Sequence, residues 1–188
     1  MNNMRNIPIL FFSIITITVL MTFNNCSKPE KKEKEKVLQN LMGKNFILPD
    51  SVVILNNYKL DTTSIQYFDS DIKMISLVDG RCPACISSFS EIVKAKKRLE
   101  TKTNNTFKFL CFIHTKDYKS FKNNYYPLLD PQTPLIIQED LSFLEDNPLP
   151  GFGVYRNVLT INNKIQLVGN PAINKELEQL YLKEINKH

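Results

Sequence analysis

Cys82-Pro83-Ala84-Cys85 is the stretch of this sequence best suited to covalent chemistry. An apolar run over residues 73–78 precedes it and ends at Asp79-Gly80. After it, residues 83–99 place Ile86, Phe89, Val93 and Leu99 at helical spacing, with Lys94, Lys96 and Lys97 as the polar complement. The pair therefore falls where a buried strand ends and an amphipathic helix begins. The first N–H groups of a helix lack internal partners, and the helix dipole adds partial positive charge there. A thiolate at that mouth is stabilised, which lowers its pKa and makes it reactive at neutral pH. Pro83 at the first helical position sacrifices no hydrogen bond, and Arg81 brings a positive charge nearby. Two intervening residues at a helix start let the sulfurs meet and close a small ring that opens reversibly. Cys82 is predicted to be the exposed attacker. Cys85, one turn further in, is predicted to be the drier resolving partner.

Two other thiol or imidazole groups could join a metal site. Cys111 and His114 repeat the two-residue spacing, so with the first pair they make three cysteines and one histidine. However, residues 107–115 read as a strand, on which side chains three apart face opposite ways. No metal and no other cofactor is predicted, and Cys111 reads as a small buried hydrophobe.

The surrounding pattern supplies the elements that must position the pair. Residues 45–48 and 52–55 read as two short strands around Pro49-Asp50-Ser51. Residues 73–78, 107–113 and 135–138 read as buried strands, and 83–99, 116–126 and 141–146 as helices. Residues 154–161 and 164–168 flank Asn162-Asn163, a hairpin signal, and 173–185 close the chain as an amphipathic helix. This order predicts an α/β protein with parallel strands first and an antiparallel hairpin late.

A strand, Gly80-Arg81, Cys-x-x-Cys and an amphipathic helix, followed by these elements, resemble the thioredoxin superfamily. Within it the chain is most similar to the membrane-tethered, periplasm-facing thioredoxin-like lipoproteins of bacteria, over roughly residues 39–186. The resemblance implies a thioredoxin fold, with a central mixed sheet flanked by helices and an N-terminal β-hairpin extension over residues 42–55. It also implies thiol–disulfide oxidoreductase activity through Cys82 and Cys85. The chain departs from the family pattern in several places. It contains no Trp, and Ser76 and Ser88 stand six positions before and after Cys82, where family members carry acidic residues. Val154-Tyr155-Arg156 occupies the place of the usual cis-proline, with Pro150 as the nearest candidate.

The first 25 residues are an address. Arg5 gives a basic start, residues 7–21 are almost wholly apolar, and the run stops at Asn24-Asn25-Cys26. That is the layout of a secretory signal, and the run is short for a membrane span of about 20 residues. Cys26 resembles the lipid-attachment site of bacterial lipoproteins. Residues 26–38, in which lysines and glutamates mix, read as a lipid-anchored polar tether and solvated spacer, and residues 39–188 as the thioredoxin-like domain. The chain is thus predicted to lie in the bacterial cell envelope, held by a lipid anchor and facing the periplasm.

Composition excludes less than the motifs do. A hydrophobic fraction of 43% and a charged fraction of 23% are ordinary for a globular chain. The formal charge of +5 is scattered and forms no basic stripe interleaved with aromatics, so no nucleic-acid partner is predicted. The expected partners are protein thiols or disulfides and a membrane electron donor or acceptor. The competing class is a non-catalytic lipoprotein that keeps the fold and an inert Cys82–Cys85 disulfide.

Overall fold

A computed structural model of the chain describes residues 28–140, 146, 147, 149 and 156–188. Cys26, Pro150, Val154, Tyr155 and all but the last residue of the helix expected over 141–146 lie outside them. The chain divides into two units, Met1–Asn40 and Leu41–His188. The described residues of the first, 28–40, belong to helix α1 (Lys28–Leu41). The stretch read as a polar spacer is therefore helical from Lys28 onward. Lysine and glutamate are good helix formers, and Pro29 falls in the first turn, where its missing N–H is not needed.

The second unit is built on one seven-stranded sheet. Its strands are β1 (Ser51–Asn56), β2 (Lys59–Ser64), β3 (Ile72–Asp79), β4 (Lys108–His114), β5 (Leu135–Gln138), β6 (Asn157–Ile161) and β7 (Lys164–Val168). They lie in the order β2-β1-β5-β4-β3-β6-β7. β3, β4 and β5 are parallel, and β1, β6 and β7 join antiparallel. Helices α2 (Pro83–Lys102), α3 (Tyr118–Asn124) and α4 (Lys175–Ile185) flank this sheet, with single 3-10 turns at Ile65–Phe68 and Tyr126–Leu128. This is the predicted mixed α/β architecture.

Central β3 is buried along seven of its eight residues, as expected of a strand covered on both faces. Met74, Val78, Ile113, Leu135 and Leu159 belong to one buried core cluster. From α2, Ile86, Phe89, Ile92, Val93 and Leu99 pack into it, at the i, i+3, i+7 spacing that the sequence displays. Arg98 of α2 clasps Glu178 of α4, with Nη2–Oε2 2.7 Å, and ties the two helices together.

The N-terminal hairpin is the element whose sequence reading needs correction. Residues 45–48 form no strand and make only a single bridge, Asn45 to Lys164. The hairpin is instead β1–β2, one element later, turning at Asn57-Tyr58. Both turn residues have positive φ, 46° and 63°, the signature of a turn that matches strand twist. Tyr58 tolerates this conformation while its ring sits edge-on to Tyr126, with centroids 4.8 Å apart. β2 carries Lys59, Asp61, Thr62 and Thr63 and is almost wholly exposed. A search for apolar runs therefore passes over it, and its charges suit the sheet edge it occupies. The second hairpin turns at Asn162-Asn163, as the sequence indicates, with φ of 51° and 60°.

Candidate functional site: a cysteine pair at a helix mouth

The site is built on the junction between β3 and α2. Gly80 N–H donates to the His114 carbonyl of β4 at 2.8 Å, extending the ladder one residue past β3. A side chain here would meet Ile113 Cγ2 at 2.8 Å and the His114 carbonyl oxygen at 3.1 Å. Gly80 thus permits the close approach from which the chain turns away. The turn is closed by Cys82 N–H donating to the Asp79 carbonyl at 3.2 Å.

Cys82 is the N-cap of α2, and Pro83 occupies the first turn. Cys85 N–H donates to Cys82 Sγ at 3.2 Å. One of the orphan donors of the helix is therefore aimed at this sulfur, as a thiolate there requires. Cys82 and Cys85 are joined as a disulfide with their Cα atoms 5.2 Å apart. Both residues are half-buried, and Cys85, unlike Cys82, packs against the hydrophobic core.

The charges around the pair are arranged differently from what the sequence suggests. Arg81 is not a free neighbour of Cys82. Its Nε and Nη2 grip both carboxylate oxygens of Asp79 at 3.0 Å each, and its backbone N–H adds a third bond to Asp79. Hydrogen bonding from Arg81 holds the Asp79 carboxyl below its usual range, helped by the charges of Arg81 and His114 and opposed by partial burial. The cation that touches the pair is Arg156, whose Nη1 lies 3.1 Å from Cys85 Sγ. Cys85 therefore has a charged partner, which the sequence reading did not provide. Arg156 immediately precedes β6, and its carbonyl accepts from Leu77 N–H at 2.8 Å, fixing it beside β3.

Ser76 and Asn157 are paired in register across β3 and β6. Ser76 Oγ and Asn157 Oδ1 are buried and have no hydrogen bond among the described residues. Ser76 stands six residues before Cys82, where the sequence resemblance leads to the expectation of an acidic residue. Ser88 is exposed and donates to the Cys85 carbonyl at 2.9 Å, as an ordinary helix-surface serine does. No cis peptide occurs among the described residues.

Cys111 is completely buried and paired in register with Ser76. Burial pushes its thiol well above the ordinary range. His114 is buried at the end of β4, in register with Asp79. Among the described residues no three His, Cys, Asp or Glu side chains are grouped to hold a metal ion. No helix among them is long and apolar enough to cross a membrane.

No protein-family model matches the sequence, and no curated protein does. Solved structures do match. The pneumococcal exposed lipoprotein thioredoxin of Streptococcus pneumoniae aligns with 71% of this chain and 98% of its own, at TM-score 0.53 and 14% identity. The thioredoxin domain of a thiol-disulfide oxidoreductase from Bacteroides vulgatus aligns over 76% of this chain and 99% of its own, at TM-score 0.52 and 15% identity. AhpC of Enterococcus faecalis reaches TM-score 0.56 at 8% identity, over 79% of this chain and 95% of its own. The chain has a thioredoxin fold. These structures carry different names, and a shared fold does not fix the chemistry, which lies in the site itself.

Proposed function

We propose that this chain is a thiol–disulfide oxidoreductase of the cell envelope, working through Cys82 and Cys85 and anchored by lipid at Cys26. The observation that carries the reading is the pair itself, half-buried at the mouth of α2 with the Cys85 N–H on Cys82 Sγ. In the reduced protein, the Cys82 thiolate attacks one sulfur of a client disulfide. A Cys82–client bond forms, and the other client sulfur leaves with the electron pair and takes up a proton. Cys85, as thiolate, then attacks Cys82 Sγ, which closes the intramolecular disulfide and expels the second client thiolate. Two electrons pass to the client. A membrane donor or acceptor resets the pair, and the same steps in reverse oxidise a client dithiol.

A second reading, an inert disulfide in a binding lipoprotein, is favoured by one observation. Ser76 offers no carboxylate to take the Cys85 proton. The test is trapping with a disulfide substrate. Cys85→Ser should accumulate a mixed disulfide through Cys82, and Cys82→Ser should accumulate little. Trapping by neither variant, with a reduction potential below about −300 mV, would establish the inert reading.

A further inference from the structure

We propose that Arg156 is a catalytic residue of this pair, serving as the counter-charge on Cys85 whenever that sulfur is a thiolate. The inference rests on the reading of Cys82 and Cys85 as an exchanging pair. It deepens that reading by naming the group that takes over from a missing carboxylate.

The geometry is local and specific. The Arg156 Nη1 to Cys85 Sγ distance of 3.1 Å puts a guanidinium N–H on the sulfur that must carry charge when the ring opens. The backbone of Arg156 is held by Leu77 N–H, so the side chain reaches Cys85 from a fixed point beside β3. A guanidinium remains charged at any pH relevant to a protein. Partial burial pulls the Arg156 pKa downward, and the Asp79 charge opposes this. The ionisable side chains at or just after the strand ends of this edge are, among the described residues, Asp79, Arg81 and Cys82 for β3, His114, Lys116, Asp117 and Tyr118 for β4, and Glu139 and Asp140 for β5. The charge of Asp79 acts on Arg156. Its carboxylate is held through both oxygens by Arg81, while Nη1 of Arg156 lies on the Cys85 sulfur.

Two consequences follow for the chemistry. When an incoming thiolate attacks Cys82 Sγ, the new S–S bond forms there, the Cys82–Cys85 bond breaks, and the electron pair leaves on Cys85. A leaving thiol of lower pKa departs faster, so the guanidinium directs attack to Cys82. In the opposite direction, a mixed disulfide on Cys82 must be resolved by ionised Cys85. A family carboxylate would accept that proton, whereas here the charge of Arg156 favours its release to water. An opposite charge within about 4–6 Å shifts a pKa by roughly 1–3 units. A stabilised thiolate also stabilises the reduced form, and so makes the pair more oxidising.

The test measures Cys85 directly. In the full chain carrying Cys82→Ser, the pH dependence of iodoacetamide alkylation is followed by mass spectrometry on the peptide that contains Cys85. Its pKa should lie below the ordinary thiol value of about 8.5, should rise by about one unit when Arg156→Met is added, and should return when the residue is Lys. In the chain with both cysteines, measured at a pH above the Cys85 pKa of both proteins, Arg156→Met should lower the equilibrium constant for reduction about tenfold, equivalent to about 30 mV for this two-electron couple. A Cys85 pKa at or above the ordinary value overturns the proposal even if Arg156→Met does not fold. So does a pKa that Arg156→Met leaves unchanged. A lowered, Arg156-dependent pKa in a protein that traps no client would instead overturn the oxidoreductase reading and leave the electrostatic assignment standing.

Discussion

Adding one methyl group at Gly80 tests how the sheet positions the cysteine pair. The Cβ of alanine would lie 2.8 Å from Ile113 Cγ2, 3.1 Å from the His114 carbonyl oxygen and 3.2 Å from Phe121 Cδ2. Carbon atoms pack best at about 3.5–4.0 Å, so the Ile113 contact is too short by roughly 0.7 Å or more. Ile113 is fully buried and β-branched, which leaves it little rotamer freedom. The carbonyl belongs to the backbone of β4 and already accepts from Gly80 N–H. Relief therefore requires the strand-to-helix turn to move away from β4. Overpacking of this kind costs about 1–3 kcal/mol, and about 2 is expected because one of the obstacles is backbone. With a urea m-value of about 1–3 kcal/mol/M, the unfolding midpoint should fall by about 1 M. Gly43→Ala is the matched control. Gly43 has φ of +75° and nothing within 4 Å of an added Cβ. Its cost is conformational only, about 1 kcal/mol. Gly80→Ala should also slow reaction of Cys82 with a disulfide probe, while Gly43→Ala should not. A Gly80→Ala protein with unchanged midpoint and unchanged Cys82 reactivity would refute the claim that this contact sets the site.

Two further outcomes are expected. Hydrogen bonds from Arg98 hold the Glu178 carboxyl below its usual range, aided by the charges of Arg98 and Lys102 and opposed by burial. A carboxylate with a depressed folded pKa adds stability above its unfolded pKa, about 4.3, and loses it as pH falls through the folded value. Glu178→Gln should therefore cost about 1 kcal/mol near neutrality and progressively less below about pH 4.3, as read from urea midpoints across pH. At the other end of the chain, Cys26→Ala should abolish metabolic labelling with a radioactive fatty acid and release the protein from membranes, since each buried CH2 of an acyl chain contributes about 0.8 kcal/mol. Undiminished labelling would exclude Cys26 as the attachment site.

The features legible in the sequence are those set by short-range rules. An apolar run, a glycine, Cys-x-x-Cys with proline at the second position, and apolar residues at helical spacing locate β3, the turn and α2, because strand period, helix period and capping are local properties. Asn162-Asn163 likewise announces its hairpin, since asparagine accepts positive φ. β2 escapes the same reading because an exposed edge strand buries nothing and so leaves no apolar period to find.

The tertiary structure alone decides which charge meets which sulfur. Arg81 is adjacent to Cys82 in sequence, yet its guanidinium is held by Asp79, two residues away. Arg156 is 71 residues from Cys85 and reaches it because β6 pairs antiparallel with β3, which brings the start of β6 beneath the helix mouth. The resemblance places Val154-Tyr155-Arg156 in the stretch that adjoins the pair, but nothing local marks that arginine as the partner of Cys85. Coulombic and hydrogen-bonding partners are chosen by distance in space, and that distance is set by strand order and register, which emerge only when the whole sheet has been assembled.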